Sequence, residues 1–462
     1  MKVFMLGWEF PPYISGGLGT ACQGLTRGLC DVGVDVVFVL PQTIPVSSSG
    51  SMQFRSPGDL LDIQPQQARK ALESPEAREE LTRLPESLRI RRLAALLQPY
   101  GTQETYEKVI QEIIAHPEIY KSFLPALSSA TRKQQHQSHI PVGSISGGTP
   151  GQYQGDLIGA VNQYAGMAQD LSRREDFDVI HAHDWMTYPA GIAVAMATGK
   201  PLIVHVHSTE FDRSGENVNQ QVYDIERAGM HAASRVVAVS HLTRNIIVSR
   251  YGVAPENVEV VYNAVETPNG DSFPMTPIRH NEKIVLFLGR VTMQKGPDYF
   301  LQAAKKVVEK FTAVRFVIAG SGDMITSMIR LAADLKIGRY VTFTGFLRGD
   351  DVNKIFRMAD LYVMPSVSEP FGIAPLEAMS HNVPVIISKQ SGVSEVLTHA
   401  LKVDFWDIDE MANKILAVLK HPPLQRTLRQ HGQFELKKLS WRDSAAQLAQ
   451  IYASVKSKVA KE

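Results

Sequence analysis

Three segments at the start of the chain constrain its architecture more than any others. Residues 1–6 form an apolar run, Gly16-Gly17-Leu18-Gly19 opens an apolar-periodic stretch to Leu29, and 34–40 is mostly apolar again. Strand, glycine turn, helix and strand in that order make a βαβ unit, and strands apolar along their length are buried on both faces of a parallel sheet. The alternation returns at 178–184, 201–207, 235–239 and 258–262. After a polar, Pro-containing segment, 266–282, a second series runs through Lys283–Leu288, 315–319, 340–343, Leu361–Met364 and 383–387. Two Rossmann-like halves facing across a cleft fit this order, and 462 residues are too many for one hydrophobic core. The expected division is an N-terminal domain over 1–265, a C-terminal domain over 280–440 and a last helix within 441–462. Residues 50–150 interrupt the pattern. They are polar, with helical fragments expected at 68–84 and 105–115 and a Ser/Gly/Gln-rich end at 134–155, and read as an insertion in the first domain.

Composition narrows the function classes. With 48 basic and 47 acidic residues the chain has no global field to attract nucleic acid or an anionic membrane. Cys22 and Cys30 are eight apart on the expected first helix, about 12 Å along its axis, which is too far for a disulfide and suits buried thiols in a reducing cytosol. No run approaches the ~20 apolar residues that span a bilayer, and the N-terminus leads straight into a strand, so a soluble, cytoplasmic protein is expected.

Residues 365–394 carry the strongest chemical signal. At their core, Glu369-Pro-Phe371-Gly372-Ile373-Ala374-Pro-Leu-Glu377 sets two carboxylates eight positions apart around a small-residue turn leading into a helical run, 376–380. Unpaired N–H groups at such a helix start can cradle a diphosphate. A carboxylate before the turn can accept from sugar hydroxyls, and one at the helix start from a ribose. After Lys283–Leu288, Gly289-Arg290-Val-Thr-Met-Gln-Lys295-Gly296 sets two cations five apart. Arginine can hold a diphosphate bidentately and lysine acts as a point charge. Gly320 and Gly322 follow the strand 315–319, while Gly16, Gly17 and Gly19 leave room for backbone to approach a phosphate or sugar. His181-Ala-His183-Asp184-Trp185 puts alternate histidines on one strand face before an acid, as a metal site does. No further strong ligand cluster is read beside it, so His181 and His183 are expected to be packed and hydrogen-bonded. A second alternate pair, His205 and His207, ends the next strand.

The E-x7-E stretch, followed by Asn382-Val-Pro-Val-Ile, resembles the donor site of retaining GT-B glycosyltransferases of the family 4/5 type, which includes glycogen and starch synthases. R-x4-K-G, the HAHDW strand end and the Gly-Gly-Leu turn are similar as well, over nearly all the chain outside 50–150. There is one departure: no lysine occurs between Gly7 and Gly16, where those synthases carry one. The resemblance implies an α/β GT-B fold with its C-terminal helix crossing back onto the first domain. It implies transfer of a hexose, glucose above all, from ADP-glucose or UDP-glucose to an acceptor hydroxyl, foremost an α-glucan, with retention and without a metal or other cofactor. In its terms His207 faces the sugar, with His205 at a position that is threonine in the family. Arg290 and Lys295 stabilise the leaving diphosphate, Glu369 holds the sugar 3- and 4-hydroxyls, and Glu377 the ribose. Gly16, Gly17, Gly19, Asp184, Gly289, Gly320, Gly322 and the amides of Phe371, Gly372, Ile373 and Ala374 complete the donor site. Asp176-Phe-Asp178 precedes its strand and Asp407-Ile-Asp409 lies in a late polar stretch, so neither suits the metal-holding D-x-D of the GT-A fold. Alternative readings are a transferase for a lipid-linked or surface glycan and a non-catalytic nucleotide-sugar binder.

Overall fold

The computed structural model describes residues 1–11, 16–43, 61–63, 88–95, 157–266 and 282–459. Strands β1 (Lys2–Leu6), β2 (Asp35–Thr43), β3 (Leu61–Ile63), β4 (Leu88–Ala95), β5 (Val179–His183), β6 (Leu202–Val206), β7 (Arg235–Ala238) and β8 (Val258–Val260) form one sheet in the order β3-β4-β2-β1-β5-β6-β7-β8. It is parallel except for the β3–β4 edge. A second sheet, parallel throughout, contains β9 (Lys283–Leu288), β10 (Val314–Ala319), β11 (Val341–Gly345), β12 (Leu361–Met364), β13 (Val385–Ser388) and β14 (Leu401–Val403), ordered β11-β10-β9-β12-β13-β14. Runs such as LIVHV in β6 and LYVM in β12 are buried throughout, as a sheet covered on both faces requires. In both sheets the strand order reverses beside the first strand, at β1/β5 and at β9/β12, and ligands of such folds bind beyond the carboxyl ends of the strands at that reversal.

The last helix, Trp441–Val459, turns back onto the first domain, as the fold resemblance implies. Ala445, Leu448, Tyr452 and Val455, at helical spacing, join Val3, Met5, Phe38 and Leu25 in one apolar cluster. Two glycines of the helix Gly17–Asp31 permit the approach: a Cβ at Gly24 would lie 2.3 Å from the Trp441 ring, and one at Gly28 would lie 2.4 Å from the Trp441 carbonyl.

Strand β4 lies inside the stretch read as a polar insertion and pairs with β2 over eight residues. Its sequence, LRIRRLAA, has three arginines that mask the apolar signal. The helical fragments expected at 68–84 and 105–115 and the polar end at 134–155 lie outside the described residues, as does most of the segment 266–282.

Candidate active site

The two reversal points bring the predicted residues to facing walls. On the first wall β5 ends in Asp184, whose backbone takes φ +59°, a left-handed turn that a branched side chain would resist. Its Oδ1 accepts from the amides of His207 (2.7 Å) and Ser208 (3.3 Å), so the carboxylate pins the loop after β6. Burial raises the Asp184 pKa to about 7, against the lowering pull of the Arg213 guanidinium and those amides. Arg213, in the short helix Glu210–Ser214, is itself buried between Glu210 (3.0 Å) and Glu226.

His183 lies opposite His205 in the β5–β6 register, so the two alternate pairs merge into a column of four imidazoles. Ring centroids are 4.3 Å apart for His181–His183 and for His205–His207, and 5.3 Å for His183–His205. His181 Nδ1 is 2.6 Å from the Tyr452 hydroxyl and His183 Nδ1 is 2.9 Å from His207 Nε2. Burial lowers all four pKa values, those of His181 and His207 to about 3. This corrects one sequence expectation: a ligand cluster does accompany HAHDW, since atoms of His181, His183 and His205, and of Cys22, His183 and His207, come within 4.8 Å of one another. The pairing arises from sheet register, which motif spacing does not reveal. The His181 and His205 rings are 9° from parallel.

On the opposite wall Lys295 closes a 3₁₀ turn, Met293–Lys295, and its Nζ is 2.5 Å from Glu369 Oε2, which also accepts from Ser366 Oγ at 3.2 Å. Arg290 donates to Gln294 Oε1 at 3.1 Å, and the Val367 amide to the Gln294 carbonyl at 2.9 Å, so the R-x4-K and E-x7-E loops are tied through main chain as well. Gly320, at φ +143°, packs so tightly under Gly289 that a Cβ would lie 1.8 Å from the Gly289 carbonyl oxygen; Gly322 would clash likewise with that of Val291. These two glycines are therefore required by backbone contact. Gly372 takes φ +99° and turns the chain into the helix Ala374–Ser380 behind Phe371 and Ile373. Glu377 stands in the first turn of that helix, its pKa raised to about 7 by burial.

The walls touch. Ser368 Oγ donates to Asp212 Oδ1 at 2.5 Å, and Ser240 Oγ to the Pro370 carbonyl at 2.6 Å. Glu395 accepts from the amides of His241 (2.9 Å) and Leu242 (2.8 Å) and from the Tyr262 hydroxyl (3.0 Å). Sequence reasoning missed Asp212, Ser368, Glu395 and also Glu9. The last is 3 % exposed, and its Oε2 accepts from the Gly19 amide (3.3 Å) and lies 2.5 Å from where a Cβ on Gly16 would be. Gly17, the first residue of the helix, has open space where a Cβ would sit. Only Glu9's nearness to the Gly-Gly-Leu turn could have singled it out.

The chain is similar to known proteins over both halves. The family model described as glycosyl transferases group 1 matches residues 270–434, and that described as glycosyltransferase family 4 matches 129–268. An uncharacterized glycosyltransferase of Methanocaldococcus jannaschii is 33 % identical over 252 residues, which are 50 % of this chain and 64 % of that protein, a little under two thirds of its length. The glycogen synthase of Mycobacterium tuberculosis is 23 % identical over 464 residues, 99 % of this chain and 95 % of that one. Anabaena HepE, solved with UDP and glucose, superposes with a TM-score of 0.63 at 16 % identity, over 98 % of this chain and 100 % of HepE. Its paired Rossmann-like sheets and returning C-terminal helix give the chain the GT-B fold, and its two halves match the two glycosyltransferase family models in turn.

Proposed function

We propose that the protein is a retaining, metal-independent hexosyltransferase that moves glucose from a nucleoside diphosphate sugar, ADP-glucose or UDP-glucose, to a hydroxyl of an α-glucan. The observation that carries this reading is the ion pair between Lys295 and Glu369 at the β9/β12 reversal, with Arg290 beside it. It joins a cation suited to the diphosphate and a carboxylate suited to the sugar. The glycogen synthase match over nearly the whole chain and the UDP and glucose of the HepE structure support the substrate class.

In this mechanism the acceptor oxygen bonds to the anomeric carbon on the face from which the diphosphate leaves. The bond from that carbon to the phosphate oxygen breaks, and the acceptor proton passes to the departing oxygen. Arg290, Lys295 and the amides around Gly372–Ala374 stabilise the growing charge, at about 3 kcal/mol per well-placed donor. Glu369 orients the sugar and Glu377 the ribose. His207, neutral at pH 7 because its pKa is near 3, offers a hydrogen bond to the sugar without adding charge, and Asp184 acts through it by fixing its loop. Gly289, Gly320 and Gly322 shape the floor.

The test is a panel of ADP-, UDP- and GDP-sugars with glycogen and short maltooligosaccharides, scored for nucleotide release and for the anomeric configuration of the product. Donor turnover with an α-linked product supports the reading; an inverted linkage, or no turnover with any pair, overturns it.

A further inference from the structure

Asp212 and Ser368 have no place in the mechanism above, yet they join the two walls one residue from Glu369. Asp212 stands in the short helix Glu210–Ser214, where its Oδ2 accepts from the Thr209 amide (2.8 Å) and hydroxyl (2.7 Å) and so closes a capping box. With one oxygen held in this way and the residue 2 % exposed, the other oxygen is fixed in direction. Ser368 Oγ donates to it at 2.5 Å, the short length of a bond to a carboxylate. The helix is anchored to the wall that carries His207: Asp184 holds the amides of His207 and Ser208, and Arg213 donates to the Ser208 carbonyl (3.3 Å). It also lies against the turn Met293–Lys295. Both neighbours of Glu369 are thus tied to the first domain, Ser368 through its hydroxyl to Asp212 and Pro370 through its carbonyl to Ser240. On its own wall the Glu369 carboxylate is held by the Ser366 hydroxyl and the Lys295 ammonium. A run of bonds leads from Asp184, through the loop that carries His207, to the residue before Glu369. Without the Ser368 hydroxyl that run is broken at its last step.

We infer that Asp212 is a positioning residue for the transfer: through Ser368 it places Glu369, the group that orients the sugar, relative to His207 on the facing wall. The inference rests on the transferase reading and adds a first-domain residue to the placement of that sugar.

The test is steady-state kinetics and thermal melting of Ser368 and Asp212 variants, on the donor and acceptor pair that the panel above selects. Ser368→Ala leaves the capping box intact, so it should melt within about 2 °C of the wild type. It should lower kcat about tenfold and leave the donor KM within about twofold, because a displaced Glu369 costs alignment more than binding. Ser368→Thr, which keeps the hydroxyl, should recover most of kcat. Asp212→Ala also loses the cap and should melt lower. Adding Ser368→Ala to it should cost less than about twofold more in kcat, since the bond is already gone. In a Glu369→Ala background Ser368→Ala should likewise cost less than about twofold, since it acts through that carboxylate. Ser368→Ala with wild-type kcat, or with a change confined to the donor KM, overturns the inference. An equal loss in the Glu369→Ala background also overturns it, by reducing the bond to a prop for the fold. A wild type that turns over no donor with any acceptor overturns the transferase reading, and the inference with it.

Discussion

Lys295 Nζ and Glu369 Oε2 are 2.5 Å apart across 74 residues of sequence. Each is thus the other's counter-charge until a donor brings its own diphosphate and hydroxyls. In the proposed mechanism, removing Lys295 or Arg290 would delete charge that matters most as the diphosphate leaves. Lys295→Ala and Arg290→Ala should each lower kcat by about a hundredfold while circular dichroism and the melting temperature show a folded protein. Near-normal turnover in both would remove the basis of the leaving-group assignment.

The two glutamates of the E-x7-E stretch should fail differently. On the proposed reading Glu377 would grip the ribose far from the breaking bond and contribute equally to ground and transition states, so Glu377→Gln should chiefly raise the donor KM. On the same reading Glu369 would orient a ring that flattens and gains positive charge, so Glu369→Gln should chiefly lower kcat. The reverse pattern in steady-state kinetics would exchange the sugar and nucleoside ends of the site.

On the proposed reading Arg290 and Lys295 would take the part of a metal at the diphosphate, so activity should survive EDTA. A requirement for Mn²⁺ or Mg²⁺ would return the histidine column and Asp184 to consideration as ligands.

The column also predicts a pH dependence. Burial holds the pKa of His205 well below the usual 6.5, so between these two values the unfolded chain binds more protons than the folded one. Stability then falls as pH drops through that window, by about 1.4 kcal/mol per unit for one such group. His205→Thr removes this contribution. The buried carboxyls, whose pKa values are raised, act with the opposite sign but are common to both proteins and cancel in the comparison. Urea unfolding at pH 7.5, 6.5 and 5.5 should show the wild type losing stability faster than the variant below 6.5; parallel curves would contradict it.

Much of this was legible in sequence because parallel strands buried on both faces leave unbroken apolar runs, and because R-x4-K and E-x7-E keep cooperating groups within a few residues of each other. Strand β4 was not, since its three arginines within four residues read as surface. The histidine column was not, because residues 181–183 and 205–207 become neighbours only through the register that sets His183 against His205. Glu9 has no periodic or motif signature: a single acid between a strand and a turn gains meaning only when the helix start folds over it.

The bond from Ser240 to the Pro370 carbonyl lies one residue from Glu369, and Glu395, shortly beyond the same motif, is gripped by the start of the helix His241–Tyr251. A swing of one domain against the other has to pivot on these contacts or break them. Either way the main chain that carries Glu369 is tied to the first domain beside the hinge, so the position of that carboxylate and the opening angle of the cleft are one mechanical variable.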